Sequence, residues 1–238
     1  MQVTRHEIFQ TSLITALAQG VYEDEMTLAE LLGHGSFGIG TFNELDGEMV
    51  VLGGTCYRLR SDGSVSVPDL SERTPYAVVT NFVPTIRRTI TGPLSRQEFS
   101  QVVDGLVPSS NYMYALQVTG RFEWASARTV ERQERPYRPM VEATDGEEVV
   151  VRRDFAGTIA GFRTPLYESG ISVAGCHAHV INDERSWGGH LVDFVLAEGR
   201  VELCLGTDFR LRLPLTEEFG AADLSEDMSE EIKQVEHH

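Results

Sequence analysis

The chain has little cysteine, little positive charge and no long apolar run. Three of its 238 residues are cysteine, namely Cys56, Cys176 and Cys204. Odd in number and without close pair spacing, they argue against a disulfide framework and a Cys-type zinc site, and point to a reducing cytoplasm. Lysine and arginine number 20 against 36 aspartate and glutamate, a formal net charge of −16. A nucleic-acid backbone or an anionic membrane surface is therefore repelled. No stretch approaches the roughly 20 apolar residues that a membrane helix needs. The segment Met1 to Glu7 has no basic start leading into an apolar run, so no secretory signal is expected. What is present is enough apolar sequence, 41% of the residues, to bury a sizeable core in one large or two small domains.

Local patterns place a few helices in the first half. Phe9 to Ala18 has the spacing of a short amphipathic helix. Thr27-Leu28-Ala29-Glu30 and Ser95-Arg96-Gln97-Glu98 both have the capping-box pattern that starts a helix. After the second, Phe99, Val102, Val103 and Leu106 keep helical spacing until Gly105 and Pro108. Most of the remainder alternates in period two. Strands are expected over 48–60, 76–83, 112–119, 122–130, 149–161, 171–181, 191–196, 201–205 and 210–215. Glu198-Gly199 and Gly206-Thr207-Asp208 read as hairpin turns, and Leu224 to Val235 as an acidic helical tail.

The expected fold class is α/β of the α+β type in two domains. Residues 1–145 form a mixed-sheet domain with helices, and residues 146–238 a mostly antiparallel, barrel-like, β-rich domain. The boundary falls in the polar cluster Ala143-Thr144-Asp145-Gly146-Glu147.

The densest chemistry lies in Gly175-Cys176-His177-Ala178-His179 and Trp187-Gly188-Gly189-His190. On a strand, His177 and His179 project from one face, while Cys176 and Ala178 project from the other. The turn-rich Asn182 to Ser186 folds the chain back and carries His190 toward the same face. Three neutral imidazoles around a zinc-like ion leave a position open for water or substrate, as catalytic rather than structural sites do. The terminal His237 and His238 are set apart as possible tag remnants.

Two other motifs compete. Gly33-His34-Gly35-Ser36-Phe37-Gly38 matches the dinucleotide fingerprint, but it follows a helix instead of a strand and does not open one, so it reads as a structural loop. A cupin arrangement would add Glu184 to the His-x-His pair. However, His190 follows His179 by only eleven residues, and the second cupin motif is missing downstream.

Several segments together resemble the acetolactate decarboxylases of bacterial acetoin formation. They include Phe37 to Phe42, Leu45-Asp46-Gly47-Glu48, Tyr57 to Gly63, Arg128-Thr129-Val130, Pro139 to Ala143, Gly157-Thr158-Ile159 and Gly175 through His190. The resemblance covers nearly the whole chain in order. It implies a zinc enzyme that converts 2-acetolactate to acetoin and CO2 through a metal-stabilised enediolate, acting as a homodimer of two-domain subunits. Carried over position by position, it implies His177, His179 and His190 as zinc ligands, Glu48, Arg128 and Glu236 as catalytic groups, and Thr41 as a pocket residue.

The residue types suit that chemistry. A divalent cation stabilises the charge left when CO2 departs, Arg128 pairs with the carboxylate through its planar fork, and Glu48 or Glu236 returns a proton. The choice between the two glutamates stays open. The chain departs from the family's usual residues at Ser36, Arg163 and Cys176, and an inward-facing Arg163 would alter the pocket. A cupin-like metal oxygenase or hydrolase, and a non-catalytic metal-dependent module binding a small acid, stand as alternatives.

Overall fold

The computed structural model describes residues 6–225 and 227–236, the last of these by its backbone alone. His237 and His238 lie outside the described residues. The chain begins with β1 (Glu7–Thr11), α1 (Ile14–Ala18), α2 (Leu28–Leu32) and β2 (Phe37–Thr41). There follow β3 (Glu48–Leu52), β4 (Thr55–Leu59), β5 (Val65–Ser66), β6 (Ala77–Thr80), β7 (Ile86–Ile90) and β8 (Leu94–Ser95). The middle holds α3 (Arg96–Leu106), β9 (Met113–Arg128), α4 (Met140–Ala143) and β10 (Val150–Thr164). The last part runs through β11 (Gly175–Asn182), β12 (Gly188–Gly206), β13 (Asp208–Arg212), α5 (Glu217–Ala221) and α6 (Ser229–Glu236). Among the described residues no helix is long and apolar enough to cross a membrane.

The fold is mixed α+β and strand-rich, built on two sheets. The first has seven strands in the order β13-β1-β6-β2-β3-β4-β5, with β13 parallel to β1 and its other pairs antiparallel. The second has the path β11-β10-β9-β12-β7, with β8 beside β12 and a further pairing of β11 with the start of β12. The sheets do not divide at residue 145. Strands β7 to β9 belong to the second sheet, β13 returns to the first, and the polar cluster 143–147 joins α4 to β10.

Period-two alternation sorts the core into layers. Ile8, Ile39 and Val50 of the first sheet share one cluster with Ala115, Phe162 and Ile181 of the second. On the outer face of the first sheet, Phe9, Met49 and Val79 pack with Leu28 and Leu31 of α2. On the outer face of the second, Leu116, Phe194 and Leu203 pack with Phe99 and Val103 of α3. Both expected capping boxes are present: Thr27 and Ser95 each accept from the backbone N–H three residues on, with Glu30 and Glu98 reaching back. Such a cap contributes about 1 kcal/mol.

Three expectations are corrected. The run 9–18 is not one helix but the end of β1 followed by α1, broken at Ser12, whose φ is 63°. Strand β1 is covered on both faces, Ile8 by the core between the sheets and Phe9 by α2, and such a run is not distinguished from a helix by periodicity. Glu198-Gly199 is not a turn, because β12 runs straight through it beside an equally continuous β9. A Cβ on Gly120 would lie 2.2 Å from the Glu198 carbonyl oxygen, so this glycine permits a close crossing where the register shifts. Gly206-Thr207-Asp208 does not close a hairpin either, since it passes the chain from the second sheet to the first. The loop before β2 is structural as expected, with His34 stacked on Phe9 at 3.8 Å between ring centroids.

Candidate metal centre

The alternation of β11 turns His177 and His179 toward the first sheet, and β12 supplies the third imidazole. His190 is the antiparallel partner of His179 and, on its other side, of Arg128. The ring centroids lie 5.1 Å apart for His177–His179 and His177–His190, and 5.6 Å apart for His179–His190. All three rings are buried, and one nitrogen from each lies within 4.8 Å of the others.

The connecting turn is held by one side chain. Asn182, completely buried, accepts at Oδ1 from the backbone N–H groups of Ser186 and Trp187, both at 2.9 Å. Its Nδ2 donates to Glu184 at 2.8 Å, so Glu184 belongs to the turn and not to the cluster, and the cupin assignment of that residue is not supported. Gly188 and Gly189 then let β12 enter between its neighbours. A Cβ would lie 2.3 Å from the Val180 carbonyl oxygen at the first and 2.5 Å from that of Arg128 at the second.

The electrostatics favour a cation. His179 Nδ1 lies 2.8 Å from the Met49 carbonyl oxygen, which only accepts, so the ring carries its hydrogen on Nδ1 and a lone pair on Nε2. Burial, reinforced by neighbouring His177, pushes its pKa down to about 3, so the ring is neutral at pH 7. Its Nε2 is enclosed without a hydrogen bond and stands 3.4 Å from Glu48 Oε2. A lone pair and a carboxylate oxygen at that separation call for a proton or a cation between them, and the three imidazoles supply the donor set that zinc prefers.

The other expected residues converge on the same place to different degrees. Glu48 opens β3 after the Asp46-Gly47 turn, directly opposite Thr41 on β2. Thr41 is buried and its hydroxyl donates to the Gly47 carbonyl at 2.9 Å, which fixes that turn. Arg128 ends β9 next to His190. These residues border a cavity of about 50 Å³ with His177 and His190. Glu236 ends α6, but its side chain lies outside the described residues. Its neighbour Val235 lines the cavity.

Sequence reasoning missed Glu147. Its carboxylate is 7% exposed, lines the cavity and stands 3.5 Å from Arg128 Nε. It sits in the polar cluster read as the domain boundary, where nothing in the local pattern marks it. Cys176 and Arg163 face each other across β11 and β10 on the side of the sheet opposite His177 and His179, where they border a second cavity that His190 also lines. Arg163 therefore does not enter the Glu48 pocket.

Comparison with known proteins covers most of the chain. The family model described as alpha-acetolactate decarboxylase matches residues 8–226. The Klebsiella aerogenes alpha-acetolactate decarboxylase is 48% identical over 192 residues, covering 81% of this chain and 74% of the relative. That of Bacillus subtilis strain 168 is 40% identical over 231 residues, covering 97% and 91%. An X-ray structure of the Bacillus subtilis enzyme superposes with a TM-score of 0.95 at 39% identity, over 98% of this chain and 100% of that one. With sequence, fold and buried histidine cluster in accord, the chain belongs to the alpha-acetolactate decarboxylase family of enzymes.

Proposed function

We propose that this protein decarboxylates 2-acetolactate to acetoin and CO2 with a zinc ion held by His177, His179 and His190. The observation that carries the reading is the enclosed Nε2 of His179 facing Glu48 inside a triad of buried imidazoles. When bound, the ion supplies a Lewis acid for the substrate oxygens on which charge collects as CO2 leaves.

The chain's own groups do the rest. Arg128, at the end of β9, pairs with the substrate carboxylate and orients the C–C bond for cleavage. Glu147 beside its Nε holds the guanidinium in place and leaves the terminal nitrogens for the substrate. After CO2 departs, the substrate carbon needs a proton, and a carboxyl group in the cavity delivers it. Glu48 is in position for this, and Glu236 is the second candidate. Apolar Ile14, Leu45 and Val235 line the remaining wall and exclude water, which strengthens each of these interactions. A homodimer in the cytoplasm completes the reading, supported by the family resemblance and, for the compartment, by three free cysteines.

The test is release of acetoin and CO2 from racemic 2-acetolactate before chelation, after it, and after zinc is restored. The expected outcome is turnover that is lost on chelation and regained with zinc. Spontaneous background alone, with zinc demonstrably bound, would refute the reaction.

A further inference from the structure

On the far side of the second sheet, between the sheet and α3, lies a second cavity of about 160 Å³. Its floor is apolar, with Phe99, Leu116, Ile159 and Phe194 all buried. Its rim is charged. Arg163 rises from β10 opposite Cys176 of β11, and Arg96 and Asp104 stand on α3. Arg163 and Cys176 both border this cavity.

The rim is incompletely satisfied. Arg163 Nη2 pairs with Asp104 Oδ1 at 2.8 Å. Its Nη1 is shielded from solvent and makes no hydrogen bond among the described residues. Leaving such a donor without an acceptor is unfavourable, the more so when the group is charged. Arg96 is fixed on the rim by its bond from Nη1 to the Val192 carbonyl at 2.7 Å. Two guanidinium groups against one carboxylate give this rim a positive balance in a chain whose formal charge is −16. Guanidinium groups above an apolar floor match an anionic head on a hydrocarbon tail.

We propose that this cavity binds a short aliphatic monocarboxylate, its head between the Arg163 and Arg96 guanidinium groups and its tail against Phe99 and Phe194. A phosphate would leave the apolar floor uncovered. The ammonium of an amino acid would need a second anion, because Asp104 is already engaged by Arg163. The proposal does not depend on the decarboxylase reading.

Calorimetric titration of the zinc-loaded protein with 4-methylpentanoate tests it, with His177→Ala as the variant that separates this cavity from the metal pocket. Saturable binding is expected in both proteins. It should weaken about tenfold or more in Arg163→Met and vanish in Val103→Trp, which fills the space from α3. The neutral isostere 4-methylpentanamide on the unaltered protein checks the charge requirement without any substitution, and should also bind about tenfold more weakly. Absence of saturable binding, equal affinity for acid and amide, or loss of binding in His177→Ala with retention in Val103→Trp would each overturn the assignment.

Discussion

Strand β11 presents two opposite surfaces built from alternate residues of one short segment. Toward the first sheet it turns His177 and His179 into a buried polar site. Toward α3 it turns Cys176 and Ala178 into an apolar layer with a charged rim. The first surface holds three imidazole donors close enough to share one cation, and the second holds side chains that pack the sheet against α3. Chemistry and stability are thus separated by a period of two, and a substitution on one face should leave the other nearly untouched.

The sharpest way to break the comparison is His177→Ala. Acetoin production should fall to the spontaneous background, a loss of about a thousandfold or more, because a two-histidine site no longer holds the ion. Metal content measured on the purified variant should fall with it, while the thermal midpoint of the metal-free form stays within a few degrees of the parent. Stable stoichiometric zinc in the variant would remove His177 from the ligand set. The complementary change is Phe99→Ala on the opposite face. Truncating a buried aromatic should cost about 3–5 kcal/mol in denaturant unfolding, with zinc stoichiometry retained in the folded fraction.

How much of this was legible beforehand depended on the range of the interaction. The histidines were readable because alternation along a strand and a polar turn are local, and Asn182 to Ser186 folds as the residue types demand. The capping boxes were readable for the same reason. Strand β1 was not, since its burial on both faces comes from the second sheet and α2, which only the tertiary fold brings to it. Nor were the uninterrupted β9 and β12, where Glu198-Gly199 has the composition of a turn and the function of a close crossing. Glu147 was hidden because only the packing of the loop after α4 brings it to Arg128. The return of β13 to the first sheet is likewise a matter of topology, which no short pattern encodes.

The polar face should also carry a pH signature that the apolar face lacks. His179 is neutral in the folded protein down to about pH 3, whereas in the unfolded chain it titrates near its ordinary value of 6.5. Below 6.5 the unfolded state binds a proton that the folded state does not, so stability falls as pH falls, until the folded form itself titrates near 3. For metal-free protein the loss from this group should be about 1.4 kcal/mol at pH 5.5 relative to pH 8. Comparing unfolding curves of the parent and His179→Gln at both pH values isolates it from the carboxylates. An identical pH slope in the two proteins would mean that the ring is protonated in the folded state.

The smallest effect expected is the most informative about Arg128. Glu147 both fixes the guanidinium through Nε and places a negative charge beside a pocket meant for an anion, and these two influences act in opposite directions. Glu147→Gln keeps an oxygen acceptor for Nε and removes the charge, so KM for acetolactate should fall about threefold, with kcat little changed. Glu147→Ala removes the acceptor as well and frees Arg128 to rotate, so kcat/KM should drop about tenfold despite the same gain in charge. Opposite signs in the two variants would establish Glu147 as a positioning residue. A fall in kcat of equal size in both would instead make its carboxyl group the proton donor, in place of Glu48 and Glu236.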